Sequence, residues 1–118
     1  MNEGVKAFGL VSIVMPSYNS ERFIAESIKS VQSQTYGDWE LLVVDDCSKD
    51  GTVAIAEAIA KDDPRIHVFS NELNSGAACS RNRALREAKG DWVAFLDSDD
   101  MWTKDKLEKQ IKLQEKLR

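Results

Sequence analysis

WELLVVDDCSKDGT, residues Trp39 to Thr52, decides how the chain folds. Trp39 to Val44 is an apolar run of strand length that stops at two carboxylates, Asp45 and Asp46. Cys47 to Thr52 is turn chemistry, rich in Ser, Asp and Gly, and it leads into a helix capped near Thr52. In that helix Ile55 and Ile59 stand at i and i+4 and mark a buried face, with small alanines around them. Asp62-Asp63-Pro64 ends it. The unit is strand, polar turn, helix.

The same unit recurs on either side. Toward the N-terminus, Leu10 to Met15 (LVSIVM) is a near-continuous apolar run, as expected of a strand covered on both faces. Pro16 is predicted to stop it, and Ser17 to Ser20 make a polar loop. Ser20 is the predicted N-cap of a helix from Glu21 to about Gln34, whose Ile24, Ile28 and Val31 share one face. Tyr36-Gly37-Asp38 breaks that helix. Toward the C-terminus, Ile66 to Phe69 is a short third strand, followed by a polar loop from Asn71 to Gly76. Gly76 to Lys89 reads as a third helix ended by Gly90 in the C′ position. Trp92 to Leu96 is the fourth strand. A last helix runs from about Thr103 to the end, with Leu107/Ile111 as one apolar pair and Leu113/Leu117 as another on a shifted face. That pattern is expected of a helix with more protein to pack against.

Helical connections of this length join parallel strands, and right-handed crossovers place helices on both sides. The sequence therefore predicts an α/β fold: an open, mainly parallel, Rossmann-like sheet with helices on both faces. Ligands in such sheets bind beyond the carboxyl ends of the strands. Three polar clusters fall there: Pro16-Ser17-Tyr18-Asn19, Asp45-Asp46, and Asp97 to Asp100. In WVAFLDSDDMW, Trp92 to Trp102, three carboxylates in four residues follow a buried strand. On its own this reads as a solvated turn that starts the next helix or as a hard-cation site. In extended backbone Asp97 and Asp99 point to one side, and Mg2+ and Mn2+ prefer such oxygens.

Composition narrows the field. At 118 residues the chain is one domain, large enough for one real core. It is 42% hydrophobic and 31% charged, as ordinary globular proteins are. The net charge is -4 with no basic run, so the electrostatic footprint of a nucleic-acid binder is missing. A polyanionic substrate would need local cations or a metal. Cys47 and Cys79 fit no zinc spacing and no disulfide framework, and read as free thiols in a reducing, cytoplasmic setting. Lys6 with Ala7 to Met15 imitates a signal peptide but ends in Pro-Ser-Tyr-Asn, not a cleavage site. No stretch approaches the length of a membrane-spanning helix. His67, the only histidine, alternates with Ile66 and Val68 and reads as structural or solvated.

Four segments, in order, carry a resemblance: VSIVMPSYN from Val11, SIKSVQSQTYGDWELLVVDDCSKDGT from Ser27, NSGAACSRNRAL from Asn74, and GDWVAFLDSDDMW from Gly90. They resemble the N-terminal, nucleotide-binding half of a family 2 glycosyltransferase of the GT-A fold, from about Val11 to Leu107. The resemblance implies transfer of a sugar from a nucleoside-diphosphate sugar, UDP being the family's common nucleotide, to a saccharide or lipid-linked acceptor. It implies a divalent cation, Mn2+ or Mg2+, with Asp99 as direct ligand and Asp97 on metal or ribose. Asp100 would orient the cluster or face the acceptor. Asp46 would accept a hydrogen bond from the imide N–H of uracil, with Asp45 orienting its loop. Tyr18 would stack beside the base, and Pro16 would shape the same loop. Arg81 would reach the nucleotide or its phosphates, with Asn82 and Arg83 in weaker versions of that role. Gly76 would allow close backbone approach. Cys47 stands where the family often has glycine. Trp92 and Trp102 read as packing residues.

Family 2 enzymes invert, which calls for a general base. The family keeps it beyond the fourth-strand acidic motif, and no residue up to Arg118 matches it. Residues 1–118 are therefore expected to be one nucleotide-sugar-binding domain that stops before the acceptor-binding half. Alone it would bind donor weakly with little or no transfer, while the full protein could sit at the inner face of a membrane. The rivals are a non-catalytic nucleotide-binding module, a phospho-acceptor receiver and a nucleotidyltransferase. A receiver wants a lone aspartate after its third strand, where this chain has Val68-Phe69-Ser70. A nucleotidyltransferase brings a Gly-rich loop where this chain has Pro16-Ser17-Tyr18-Asn19.

Overall fold

Four strands, β1 (Val11–Ser17), β2 (Trp39–Asp45), β3 (Ile66–Ser70) and β4 (Trp92–Phe95), form one all-parallel sheet in the order β3-β2-β1-β4. The helices between and after them are α1 (Ile24–Gln32), α2 (Thr52–Asp62), α3 (Ala77–Glu87) and α4 (Lys106–Leu117). The computed structural model describes residues 9–71 and 76–117, with backbone alone at 77 and 114–117. Lys6, Ala7, most of the loop before Gly76 and the Leu117 side chain lie outside the described residues.

The layering follows from crossover handedness. The steps β1 to β2 and β2 to β3 run one way, so right-handed connections put α1 and α2 on the same face. The step from β3 to β4 returns across the sheet, which puts α3 on the other. The packing agrees: Ile24, Ile28 and Val31 of α1, Ala56 of α2, and Leu107 and Ile111 of α4 share one core with Ile13, Met15, Leu41 and Val43. Ala84 of α3 packs with Val14, Leu42 and Val44 on the opposite face. Both central strands, β1 and β2, are buried along their whole length, as the apolar run at Leu10 to Met15 predicts. The edge strand β4 leaves Val93 and Phe95 about half exposed. In α4, Leu107 and Ile111 are buried, while Leu113 is exposed. No helix among the described residues is long and apolar enough to cross a membrane.

Several local expectations are corrected. Pro16 does not stop β1: it pairs with Val44, and Ser17 with Asp45. The reason lies in the ladder. Leu96 N donates to Val14 O, so even-numbered β1 residues face β4, and β4 has ended before Pro16 needs a donor. Ser20 is not a side-chain cap. Helix α1 begins at Ile24 without one, and the Ser20 hydroxyl pairs with Ser98 Oγ at 2.6 Å instead. Thr52 does not cap α2 itself; Asp50 Oδ1 accepts from Thr52 N at 3.0 Å and from its hydroxyl at 2.5 Å.

Gly90 is not a left-handed C′ residue. Helix α3 ends at Ala88 in extended backbone, and Gly90 is needed for proximity to β1. Its amide donates to Ser12 Oγ at 2.8 Å, and Ser12 in turn donates to the buried Glu40 carboxylate at 2.6 Å. The same Glu40 oxygen accepts from Lys89 N at 2.7 Å, so a polar pair inside the sheet anchors the entrance of β4. A Cβ on Gly90 would stand 2.7 Å from Ser12 N and 2.8 Å from Leu10 O, and backbone cannot yield cheaply. Gly90→Ala is therefore expected to lose roughly 1–3 kcal/mol of stability, the cost of overpacking, in urea unfolding.

A second tether joins α2 to β3. Asp63 is buried and accepts from Arg65 N, Nε and Nη2 at 3.0–3.1 Å and from Gln32 Nε2 at 3.2 Å. The Arg65 guanidinium also lies 3.8 Å over the Trp39 ring. Hydrogen bonding to Arg65, set against burial, holds the Asp63 carboxyl down from 3.8 to about 2. A depressed folded-state value stabilises above the unfolded pKa and loses its effect as pH falls through the folded one. Stability is thus expected to drop by about 1–2 kcal/mol, discounted for the exposed Arg65, between about pH 4 and pH 2. Asp63→Asn should abolish that segment of the acid profile.

Candidate functional site

Sheet order reverses between β1 and β4, and a crevice opens at the carboxyl end of that pair, where open α/β sheets bind ligands. A cavity of about 420 Å³ occupies it. Its walls are Pro16 and Ser17 at the end of β1, Tyr18 and Ser20 after it, Asp46 after β2, Gly76 and Ser80 at the start of α3, and Asp97, Ser98 and Asp99 after β4. Five residues singled out in the sequence, Pro16, Tyr18, Asp46, Asp97 and Asp99, thus meet around one space. Arg81 is half-buried and is not among the lining residues. One turn of α3 sends Gly76 and Ser80, at i and i+4, toward the cavity, and Arg81 lies the next residue around.

The floor is cross-tied. Asp45 is almost fully buried and accepts from Ser17 Oγ at 2.8 Å, Ser48 N at 2.7 Å and Ser48 Oγ at 2.6 Å. Asn19 Oδ1 accepts from Lys49 N at 2.9 Å, and Glu21 Oε2 accepts from Gly51 N at 2.8 Å. These bonds zip the loop after β1 to the loop after β2. Asn19 and Cys47 take left-handed backbone at φ 47° and 66°, which costs a side-chain-bearing residue about 1–2 kcal/mol. That is a physical reason for glycine at the Cys47 position. Cys47 is half-buried and Cys79 exposed, and the two are not joined in a disulfide.

Asp46 is buried, and its two oxygens divide their work. Oδ1 accepts from Asn71 Nδ2 at 3.0 Å, and Oδ2 accepts from Gly76 N at 2.7 Å. Gly76 has φ 88° and ψ 164°, a backbone conformation that favours glycine, and no described atom lies within 4 Å of a notional Cβ on its cavity-lining backbone. Asn71 Nδ2 also reaches Ser80 Oγ at 3.0 Å, so one carboxylate and one amide hold α3 against the end of β2. Arg83 donates to Ser70 O at 2.7 Å and covers the Phe69 ring, a role in holding β3.

The acidic cluster closes differently from the extended segment predicted. Asp100 N donates to Asp97 O at 3.0 Å, making a tight turn that buries Ser98 and turns three carboxylates outward. One oxygen from each of Asp97, Asp99 and Asp100 lies within 4.8 Å of the others, and all three residues are exposed. Two ligands of one octahedral cation at about 2.1 Å lie roughly 3–4 Å apart, so modest side-chain rotation gathers this set around one hard ion. No ion pair among the described residues neutralises them. The donor set fits Mg2+ or Mn2+. Asp100 also lines a neighbouring cavity of about 460 Å³ with Phe95, Met101 and Trp102.

The sequence marks Ser17 and Ser98 only as members of the polar clusters and Ser20 as a helix cap, and does not single out Ser80. Ser17, Ser20, Ser80 and Ser98 line the cavity and hold its loops. The available signal was spacing: Ser80 stands one helical turn after Gly76, and Ser98 sits between two named aspartates.

Comparison with known proteins places these residues in context. The family model "Glycosyl transferase family 2" matches residues 12–118. The Escherichia coli protein named "UDP-Glc:alpha-D-GlcNAc-diphosphoundecaprenol beta-1,3-glucosyltransferase WfgD" is 53% identical over 104 residues, covering 88% of this chain and 40% of that protein. Staphylococcus aureus TarS 1-349 in complex with UDP superposes with TM-score 0.82 at 37% identity, covering 90% of this chain and 32% of that one. The mannosyltransferase PcManGT from Pyrobaculum calidifontis, in complex with GDP-Man and Mn2+, gives TM-score 0.74 at 31% identity, over 78% of this chain and 28% of that one. The chain spans about 40% of the length of several curated relatives it matches, WfgD among them, and 17% of others.

The twofold use of Asp46 gives a direct test. Asp46→Asn puts an amide donor against either Gly76 N–H or Asn71 Nδ2, both donors. A loss of about 1–3 kcal/mol is expected in urea unfolding, with faster hydrogen exchange at the Gly76 amide.

Proposed function

We propose, because this chain belongs to glycosyl transferase family 2, that it forms the donor-binding part of an inverting enzyme that takes its sugar from a UDP-linked donor. The single observation that carries this reading is the cavity at the β1/β4 switch point, where Tyr18, Asp46, Asp97 and Asp99 face one space. Tyr18 is half exposed at its rim, with a ring face free to meet a base. Asp46 borders the cavity and is held by Gly76 N and Asn71, and its carboxylate is the proposed acceptor for the imide N–H. That acceptor suits the imide N–H of uracil. Support for UDP also comes from the UDP held by TarS and the UDP-Glc in the name of WfgD.

Asp99 and Asp97 would hold a divalent cation, with Asp100 completing or orienting the set. Such a cation supplies Lewis-acid neutralisation of the departing diphosphate. Support comes from the carboxylate geometry and from the Mn2+ bound by PcManGT. The residues of this chain bind the nucleotide, orient it by its base and keep its diphosphate over the acidic turn. Proton removal from the acceptor needs a general base, and we assign none to the cavity residues. A saccharide on a lipid diphosphate, as in the name of WfgD, is the proposed acceptor class. With it comes a proposed place at the cytoplasmic face of a membrane.

Titration calorimetry with UDP, GDP and dTDP, with and without Mn2+, tests the reading. UDP is expected to bind best and only with Mn2+, and Asp99→Ala to weaken it at least about tenfold, the size of effect seen when metal sites lose supporting groups. Metal-independent binding that ignores Asp99→Ala would sink the metal assignment, and preference for GDP the base assignment.

A further inference from the structure

We propose that Ser27 of α1 is a positioning residue for cation binding: its hydroxyl holds the turn that carries Asp97, Asp99 and Asp100. The proposal rests on the cation reading above and adds a residue outside the cavity. Ser27 is fully buried, and its Oγ reaches Ser98 O at 2.9 Å and also Asp100 O. Those two carbonyls flank Asp99. The first fixes the peptide that enters Asp99 and the second the peptide that leaves Asp100, while Asp100 N between them donates to Asp97 O, so the stretch that carries the Asp99 carboxylate is held at both ends.

Ser27 does not act alone on this segment. Ser30 Oγ accepts from Trp102 N at 3.1 Å, and Gln34 donates to Thr103 O at 2.6 Å while accepting from Leu107 N at 3.1 Å. Residues 27 and 30 share one stripe of α1, beside the apolar stripe of Ile24, Ile28 and Val31, and Gln34 lies two residues past the helix end. Helix α1 and the turn after it thereby grip the main chain from Ser98 to Leu107, and Ser27 is the contact at the carboxylates.

The physical need is electrostatic. Three carboxylates with oxygens inside 4.8 Å repel one another until a cation arrives. An unrestrained turn would relieve that repulsion by splaying, and cation binding would then have to reassemble it. A buried hydroxyl whose single proton is shared between two carbonyls resists the splaying in advance, which is preorganisation.

The test measures Mn2+ affinity of the 118-residue chain with UDP present, by the electron paramagnetic resonance signal of free Mn2+, well below the unfolding midpoint. Ser27→Ala is expected to weaken Mn2+ roughly tenfold, the lower range for loss of an outer-shell partner. Ser27→Cys fills the same space with a far weaker donor and should show the same direction with packing kept. Val31→Ala, a core truncation one turn along α1, is the stability control: it should lower the unfolding midpoint and leave Mn2+ affinity unchanged. Wild-type affinity in folded Ser27→Ala and Ser27→Cys overturns the positioning role alone. An equal loss in Val31→Ala overturns it too, since general loosening would then suffice. Absence of UDP-dependent Mn2+ binding in the unsubstituted chain overturns the cation reading and this inference together.

Discussion

A parallel sheet has a direction, and the site depends on that fact before any side chain is considered. Every strand delivers its carboxyl end to the same edge. The loops after β1, β2 and β4 must therefore be neighbours, and the polar residues in them meet without any special device. The reversal of order between β1 and β4 then opens a crevice, because the connections on either side leave in opposite directions. Burial of β1 and β2 on both faces holds this frame rigid, through apolar area on the α1, α2 and α4 side above all. The cavity is a consequence of topology, furnished afterwards by sequence.

Inside that frame, stability and geometry come from different groups. The apolar core resists unfolding. Buried polar residues, by contrast, tie particular loops to particular strands: Glu40 through Ser12 to Gly90, Asp45 to Ser48, Asp46 to Gly76, Ser27 to Ser98. Each such bond nets only about 1 kcal/mol, little beside the core, yet each removes a freedom that apolar packing leaves open. Non-directional burial chooses the fold, and directional bonds choose where the loop ends stand.

Periodicity made the fold legible. Apolar runs ending in polar clusters, alternating with i, i+4 stripes, led to the observed β-α order and to helices on both faces. Motif position made much of the cavity legible, since Pro16 stands near the end of a strand and Tyr18, Asp46, Asp97 and Asp99 each follow one. What stayed hidden was hidden for a common reason. Ser20 looks like a helix cap locally, and only tertiary contact with Ser98 diverts it. Pro16 looks like a strand terminator, and only the shortness of β4 makes its missing donor harmless. Gly90 looks like a C′ glycine, and only the approach of β1 shows why a side chain is excluded. Arg81 and Ser80 are adjacent in sequence, yet the helix turns one toward the cavity and the other past it. Local signals name a residue's options; which option is taken depends on partners tens of residues away.

The grip of α1 on residues 98–107 has one further consequence. It engages carbonyls and amides, groups that every residue carries, and takes little from the side chains at 97, 99 and 100. The strip is held as a rail holds a carriage, indifferent to what is mounted on it. Acidic, amide or smaller residues can be exchanged there without asking the backbone to find a new path. The side chains at this edge and the scaffold that presents them are held by separate sets of contacts.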